Sequence, residues 1–211
     1  MARKRYGRTV AKIVAGVVLA IVAYLGLQYG SMLREMDQAA ADYSHGDMES
    51  ALKRYENVET ELRSYGALPL RIIPARDRQN LILNQARLLY AMKRYEDAAE
   101  RMDKEDEMAG VTTDGRFFLL RGDIGFRRAV ANYQQSPKKD ASLLEENLRG
   151  VEDSLRESLR LSPYDWDAKY NFEYINNIRN MLTNKDSGKV KLLMEEEAKP
   201  QTQELPPELV G

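Results

Sequence analysis

His45 is the single histidine of the 211-residue chain, and no cysteine accompanies it. A Ser-His-Asp triad would have to use that one imidazole, clustered-histidine zinc sites cannot be built, and thiolate chemistry and disulfides are excluded. His45 precedes Gly46 and Asp47 in a turn, where a solvated or capping histidine is the ordinary reading. A hydrolase built on it has no pocket of partners to work with. Asp103, Glu105 and Glu107 stand at alternate positions as in a calcium loop, but Met108 occupies the place of the loop glycine, so the run reads as a solvated helix end. No catalytic residue, cofactor or metal is assigned, and the chain is read as a binding protein and not an enzyme. The remaining candidates are three cations on one apolar-periodic segment, Arg121, Arg127 and Arg128. Their functional reading is contact with an acidic partner surface, and their alternative is a solvated basic face.

The elements that must position these residues are helices. The stretch 159–178, LRLSPYDWDAKYNFEYINNI, reads as a joint: Ser162, Pro163 and Asp165 end one helix and start the next. Against the ~34-residue tetratricopeptide pattern, Pro163 takes the closing proline, and Ala168, Tyr170, Asn171 and Phe172 fall on the first turns of a new repeat. An ordinary helix-turn-helix corner is the alternative. Upstream, Ala39, Ala40 and Tyr43, the turn at 45–47, and Ala51, Leu52, Tyr55 and Val58 describe a first helical hairpin. A second runs from about Asn80 through Leu83, Ala86, Leu89 and Tyr90, turns near Lys93 and continues through Tyr95, Ala98, Ala99 and Met102. Ala98 stands 47 positions after Ala51, one repeat of about 34 residues plus the 13 residues of 66–78, GALPLRIIPARDR, which read as an inserted loop broken by Pro69 and Pro74. Its Leu68, Leu70, Ile72 and Ile73, beside Arg71, Arg76 and Arg78, either pack back on the repeats or serve a partner. A third unit begins at a Thr113 or Asp114 cap, carries Phe117, Leu120, Ile124, Ala129, Val130 and Tyr133, breaks at 136–139 and resumes from about 140 to 161. Trp166, Tyr170 and Phe172 are expected to bury large aromatic area against the preceding helix. The acidic, proline-containing segment 183–211 has too little apolar content to fold alone and reads as a flexible tail.

With 43% apolar and 31% charged residues, the composition allows one domain with room for an anchor. The net charge of −1 conceals an asymmetry: the first twelve residues carry Arg3, Lys4, Arg5, Arg8 and Lys12, leaving 27 basic against 33 acidic residues in the rest, about −6. Residues 13–27, IVAGVVLAIVAYLGL, are uncharged and extend toward the ~20 residues of a membrane span, with Tyr24 and Tyr29 suited to the far interface. Basic residues ahead of the span place the amino terminus in the cytoplasm. A cleaved signal peptide is the rival reading, but no Ala-x-Ala site lies within the apolar run, and the best small-residue site there, ending at Ala23, would put Ile21 three positions inside the cut. The expected organisation is a basic segment at 1–12, a transmembrane anchor at 13–33, a helical repeat domain at 34–182 and the tail at 183–211. The fold class is all-α: one transmembrane helix followed by a tetratricopeptide-like helical-hairpin solenoid, with Ala51, Tyr55, Ala98, Pro163, Trp166, Tyr170 and Phe172 as repeat positions.

Two stretches, FFLLRGDIGFRRAVANY at 117–133 and SLRESLRLSPYDWDAKYNFEYI at 154–175, resemble the MxaK-like tetratricopeptide proteins encoded beside von Willebrand A domain proteins and a MoxR-type ATPase. The resemblance is strongest over 117–178, and its most specific part is RLSPYDWDAKYNFE at 160–173. Phe172 stands where the family usually has Leu, and the basic amino terminus is extended; neither removes the repeat. The resemblance implies an assembly role: members linked to methanol oxidation serve metal insertion into, or activation of, a periplasmic methanol dehydrogenase. The expected protein is an adaptor of the bacterial inner membrane, its repeats periplasmic. Its expected partners are von Willebrand A domain proteins, the MoxR ATPase system and a periplasmic dehydrogenase, with no nucleic acid among them. A structural or division-linked envelope tether that binds other periplasmic proteins is the alternative.

Overall fold

The computed structural model describes residues 3–64, 73–103, 114–138 and 140–183, and of 3–9 the backbone alone. Among the described residues there are seven helices and no strand: α1 Arg3–Ser44, α2 Met48–Ser64, α3 Ala75–Ala91, α4 Tyr95–Asp103, α5 Gly115–Gln135, α6 Ala141–Leu161 and α7 Trp166–Thr183. They fall into two compact units, one ending at Asp77 and the other beginning at Arg78. Leu68, Leu70, Arg71 and Ile72, the acids Glu105, Asp106 and Glu107, Thr113 and the tail from 184 onward lie outside the described residues.

In the first unit, α1 is long and apolar enough to cross a bilayer. Its side chains from Val10 to Leu27 are almost all exposed, Leu19 at 68% and Leu27 at 75%, so this stretch is not the core helix of a soluble domain. Burial begins at Met32, Met36 and Ala39, a spacing of four and three that turns one face toward α2. The helix runs unbroken from the apolar stretch into the first hairpin, so the boundary expected at 33/34 is a change of surroundings along one rod. Gly46, at φ +84°, closes the hairpin, and Asp47 caps α2 by accepting from the Ser50 amide at 3.0 Å. Ala51, Leu52, Tyr55, Val58 and Leu62 bury the facing side of α2. Arg54 fastens the pair by donating to Asp42 at 2.6 Å and to Glu35 at 3.2 Å.

The second hairpin turn repeats the first. Tyr90, Lys93 and Ala98 stand 47 positions after Tyr43, Gly46 and Ala51. Lys93 N–H donates to Tyr90 O as Gly46 N–H does to Tyr43 O, both at 2.9 Å, and Lys93 takes the same positive φ, +61°. Ala51 and Ala98 are both fully buried at the start of the second helix. The helix before this turn starts earlier than the sequence suggests. The chain leaves its break at Pro74, whose carbonyl accepts from Asp77 N–H, and α3 begins at Ala75. Arg76 and Arg78 are therefore helical residues, because a proline just outside a helix is a start signal as readily as a breaker.

Within the second unit, α4 packs on α5, α5 on α6 and α6 on α7, while α5 also reaches α7 two helices on. That neighbour and next-but-one pattern is what stacked helical hairpins produce. Asp114 and Asp140 cap α5 and α6 with their carboxylates. The α5–α6 contact is close because of glycine: a Cβ on Gly122 would stand 2.9 Å from Leu155 Cγ and Cδ2. Ser158 Oγ also donates to Gly115 O at 2.8 Å. Phe126, Leu144, Leu148, Val151, Leu155, Ile175 and Ile178 form the core of this part.

Candidate groove across the first helices of the hairpins

On the α3, α5 and α7 side of the second unit lies a cavity of about 210 Å³. Tyr90 comes from α3, Asp123 and Arg127 from α5, and Tyr170, Asn171 and Tyr174 from α7. Their side chains are tied across the helices. Arg127 Nε donates to the Tyr90 hydroxyl at 3.3 Å, and Asn171 Nδ2 donates to Asp123 Oδ1 at 2.8 Å. Burial pushes the Asp123 carboxyl up to about 7, opposed by the Asn171 hydrogen bond and the Arg127 charge and reinforced by Asp167. The cavity thus offers a carboxyl group near its titration point, a guanidinium and three phenols, held by three successive first helices.

The three arginines expected on one surface are on two. Arg127 lies in this groove, whereas Arg121 and Arg128 line a separate cavity of about 290 Å³ together with residues of α4 and α6. Arg121 Nη2 donates to Met102 O at 3.3 Å, and Arg128 pairs with Glu96 at 2.7 Å. Arg121 and Arg128 are seven residues apart, nearly two helical turns, while Arg127 projects about 100° away from Arg128. A cluster in sequence is therefore divided by helical geometry.

The aromatic residues of α7 also depart from expectation. Trp166 is 78% and Tyr170 70% exposed, while Phe172 is half-buried against the core. Ala168, Ile175 and Ile178 make the buried stripe of this helix, and Trp166 and Tyr170 lie two positions either side of Ala168, on the opposite face. Pro163 is exposed in the turn before α7. The exposed rings are nevertheless ordered among themselves: Tyr170 stacks on Tyr174 at 6.4 Å and 8°, and Tyr174 meets Phe126 edge-on at 5.8 Å. Lys169 Nζ stands 4.8 Å from the Trp166 ring centre and 5.8 Å from that of Tyr164. An aromatic row thus runs from the exposed rim of the groove to the core.

No protein-family model, curated protein or solved structure matches this chain. Asp123, Asn171 and Tyr174 were not candidates on sequence grounds. The signal for Asp123 was present, an acid flanked by Gly122 three residues after Leu120 and three before Phe126, which puts a carboxyl on the core stripe. His45 is exposed in its turn, and among the described residues no group of three or more His, Asp and Glu side chains is placed to hold a metal ion.

Proposed function

We propose that the protein is a membrane-anchored helical-repeat adaptor, and that the groove formed by α3, α5 and α7 holds a segment of a partner protein. The observation that carries this reading is the exposed Tyr170 ring, stacked on Tyr174 at the rim of the groove and leading into a floor of Asp123, Arg127 and Asn171. Large exposed aromatics beside a guanidinium are the side chains on which protein interfaces concentrate their energy. The mixed charge of the floor suits a polar peptide segment better than a purely acidic one, since Arg127 sits beside Asp123.

The apolar length of α1 supports an uncleaved single-pass anchor, and the basic residues ahead of it support a cytoplasmic amino terminus and a periplasmic repeat domain in a bacterial inner membrane. The resemblance of 117–178 to MxaK-like proteins favours von Willebrand A domain proteins and a MoxR-type ATPase system as partners, in the assembly or activation of a periplasmic dehydrogenase. Crosslinking in membranes, followed by capture of the chain and mass spectrometry, tests the partner. Recovery of a von Willebrand A domain protein or a MoxR-type ATPase supports the reading, and their consistent absence overturns it. A reporter fused after Gly211 tests the topology: it is expected to be active only outside the cytoplasm.

A further inference from the structure

A cavity of about 560 Å³ lies in the first unit between α1, the end of α2 and the residues leading into α3. Its walls are almost wholly apolar: Val22, Leu25, Met32, Val58, Leu62 and Pro74. Polar groups stand among the lining at Gln28, Glu61 and the tyrosines Tyr24 and Tyr29. The Tyr29 hydroxyl donates to Asp77 Oδ2 at 2.6 Å, tying α1 to the last residue of the first unit, and Gln28 Nε2 donates to the Tyr24 hydroxyl at 3.2 Å.

The position of this cavity along α1 decides what can fill it. Val22, Leu25 and Gly26 belong to the uncharged stretch whose other side chains face outward, so one wall of the cavity is continuous with the face that α1 turns to a bilayer. The second wall is α2, which runs back antiparallel from the turn at Gly46 and brings Val58 and Leu62, both buried, down to the level of the tyrosines. If α1 spans a bilayer, the hairpin opens toward the end of its apolar stretch, at the depth where tyrosine belts sit. A volume of this size falls within the range of about 300–1,000 Å³ that organic ligands occupy, and an apolar lining gives water few partners.

We propose that this cavity is a lipid site, which takes one acyl chain of a phospholipid from the surrounding bilayer. The proposal rests on the reading of α1 as a membrane span. The acyl chain enters along the Val22 and Leu25 side and lies against Val58 and Leu62, with the head group at the rim beside Gln28 and Glu61. The bound lipid then completes the packing of the α1–α2 hairpin, so that the first repeat is held at the membrane surface by the bilayer itself.

Gly26 supplies the test, because it lines the cavity and a Cβ built there meets nothing within 4 Å. The full chain is reconstituted in vesicles of phosphatidylethanolamine and phosphatidylglycerol in which a fraction of the phosphatidylethanolamine carries a diazirine on its acyl chain. After photolysis, adducts are mapped by peptide mass spectrometry. Adducts are expected on Leu19, which faces the bilayer, and on Val58 and Leu62 in the hairpin. Gly26→Phe is expected to lose the hairpin adducts and keep those on Leu19, whereas Gly16→Phe, also in open space, keeps both. Helix content and thermal midpoint of each variant are measured alongside, so that a loss of adducts is read only from folded protein. Adducts on Leu19 with none on Val58 or Leu62, or hairpin adducts that survive Gly26→Phe, overturn the lipid site and leave the span intact. An absence of adducts on Leu19 as well overturns the span, and the lipid site with it.

Discussion

Asn171 Nδ2 donates to Asp123 Oδ1 at 2.8 Å, joining α7 to α5 across the groove at a carboxyl that burial holds near neutrality. The folded-state pKa of about 7 lies above the ordinary 3.8, so the folded chain binds this proton more tightly than the unfolded one. Stability from this group is therefore full below about pH 4 and declines as pH rises toward 7. Asp123→Asn keeps an acceptor for Asn171 and cannot ionise. It is expected to match the wild type near pH 4 and exceed it by about 1 to 2 kcal/mol above pH 7, the magnitude discounted because the groove admits water. Urea denaturation of the full chain in detergent across this range checks it, and equal stability of the two proteins at pH 8 would remove the buried-carboxyl account.

Close packing of α5 on α6 makes a second prediction. Gly122→Ala drives a methyl group against Leu155 and is expected to cost about 1 to 3 kcal/mol. Gly150→Ala, on α6 with open space around it, is expected to be neutral or to stabilise by up to about 1 kcal/mol through helix propensity. Thermal midpoints of the pair, moving in opposite directions, would separate packing from propensity.

Arg179 is the cation that fastens α7 to α6. It reaches the buried carboxylate of Glu152, which Arg156 also meets, and donates to Glu145 at 3.0 Å. Arg179→Met leaves Glu152 short of a partner at a 7% exposed site, at an expected cost of about 1 to 3 kcal/mol. Arg179→Lys restores the charge but not the fork that spans two carboxylates, so partial recovery is expected. Chemical denaturation at two salt concentrations checks both, since an exposed ion pair would weaken with salt and this one should change little.

The exposed aromatics of α7 give a prediction that reverses the one read from sequence. Trp166→Ala and Tyr170→Ala are expected to change stability by less than about 0.5 kcal/mol, as exposed positions do. Ile175→Ala, at a 2% exposed position, is expected to cost about 2 to 5 kcal/mol. Differential scanning of the three variants decides whether Trp166 and Tyr170 are surface or core.

Helix periodicity, turns and caps were legible because each is written locally. Gly46 and Asp47, Asp114 and Asp140 sit where their chemistry requires, and the 47-residue offset of the two hairpins appears in Tyr43 and Tyr90 as in Ala51 and Ala98. The start of α3 was misplaced because Pro74 breaks and begins helices by the same fixed φ. The groove was harder to read. Tyr90, Asp123 and Asn171 meet only after three helices stack, and no local spacing reports a contact between residues 48 apart. Trp166 and Tyr170 were misassigned for a related reason: an aromatic pair four residues apart defines a helix face, and only the packing on Ala168 and Ile175 tells which face is covered.

If the groove, and not the arginine face opposite, holds the partner, residues at its rim lie within crosslinking reach of that partner. A photo-crosslinking amino acid placed at Tyr170 in the groove, and in separate proteins at Arg128 and at the exposed Asp153 of α6, reads this directly in intact membranes. A von Willebrand A domain or MoxR-type partner is expected to crosslink from position 170, to be lost when Arg127→Glu is added, and to be absent from 128 and 153. Crosslinks to such a partner from position 128 or 153 with none from 170 would contradict it.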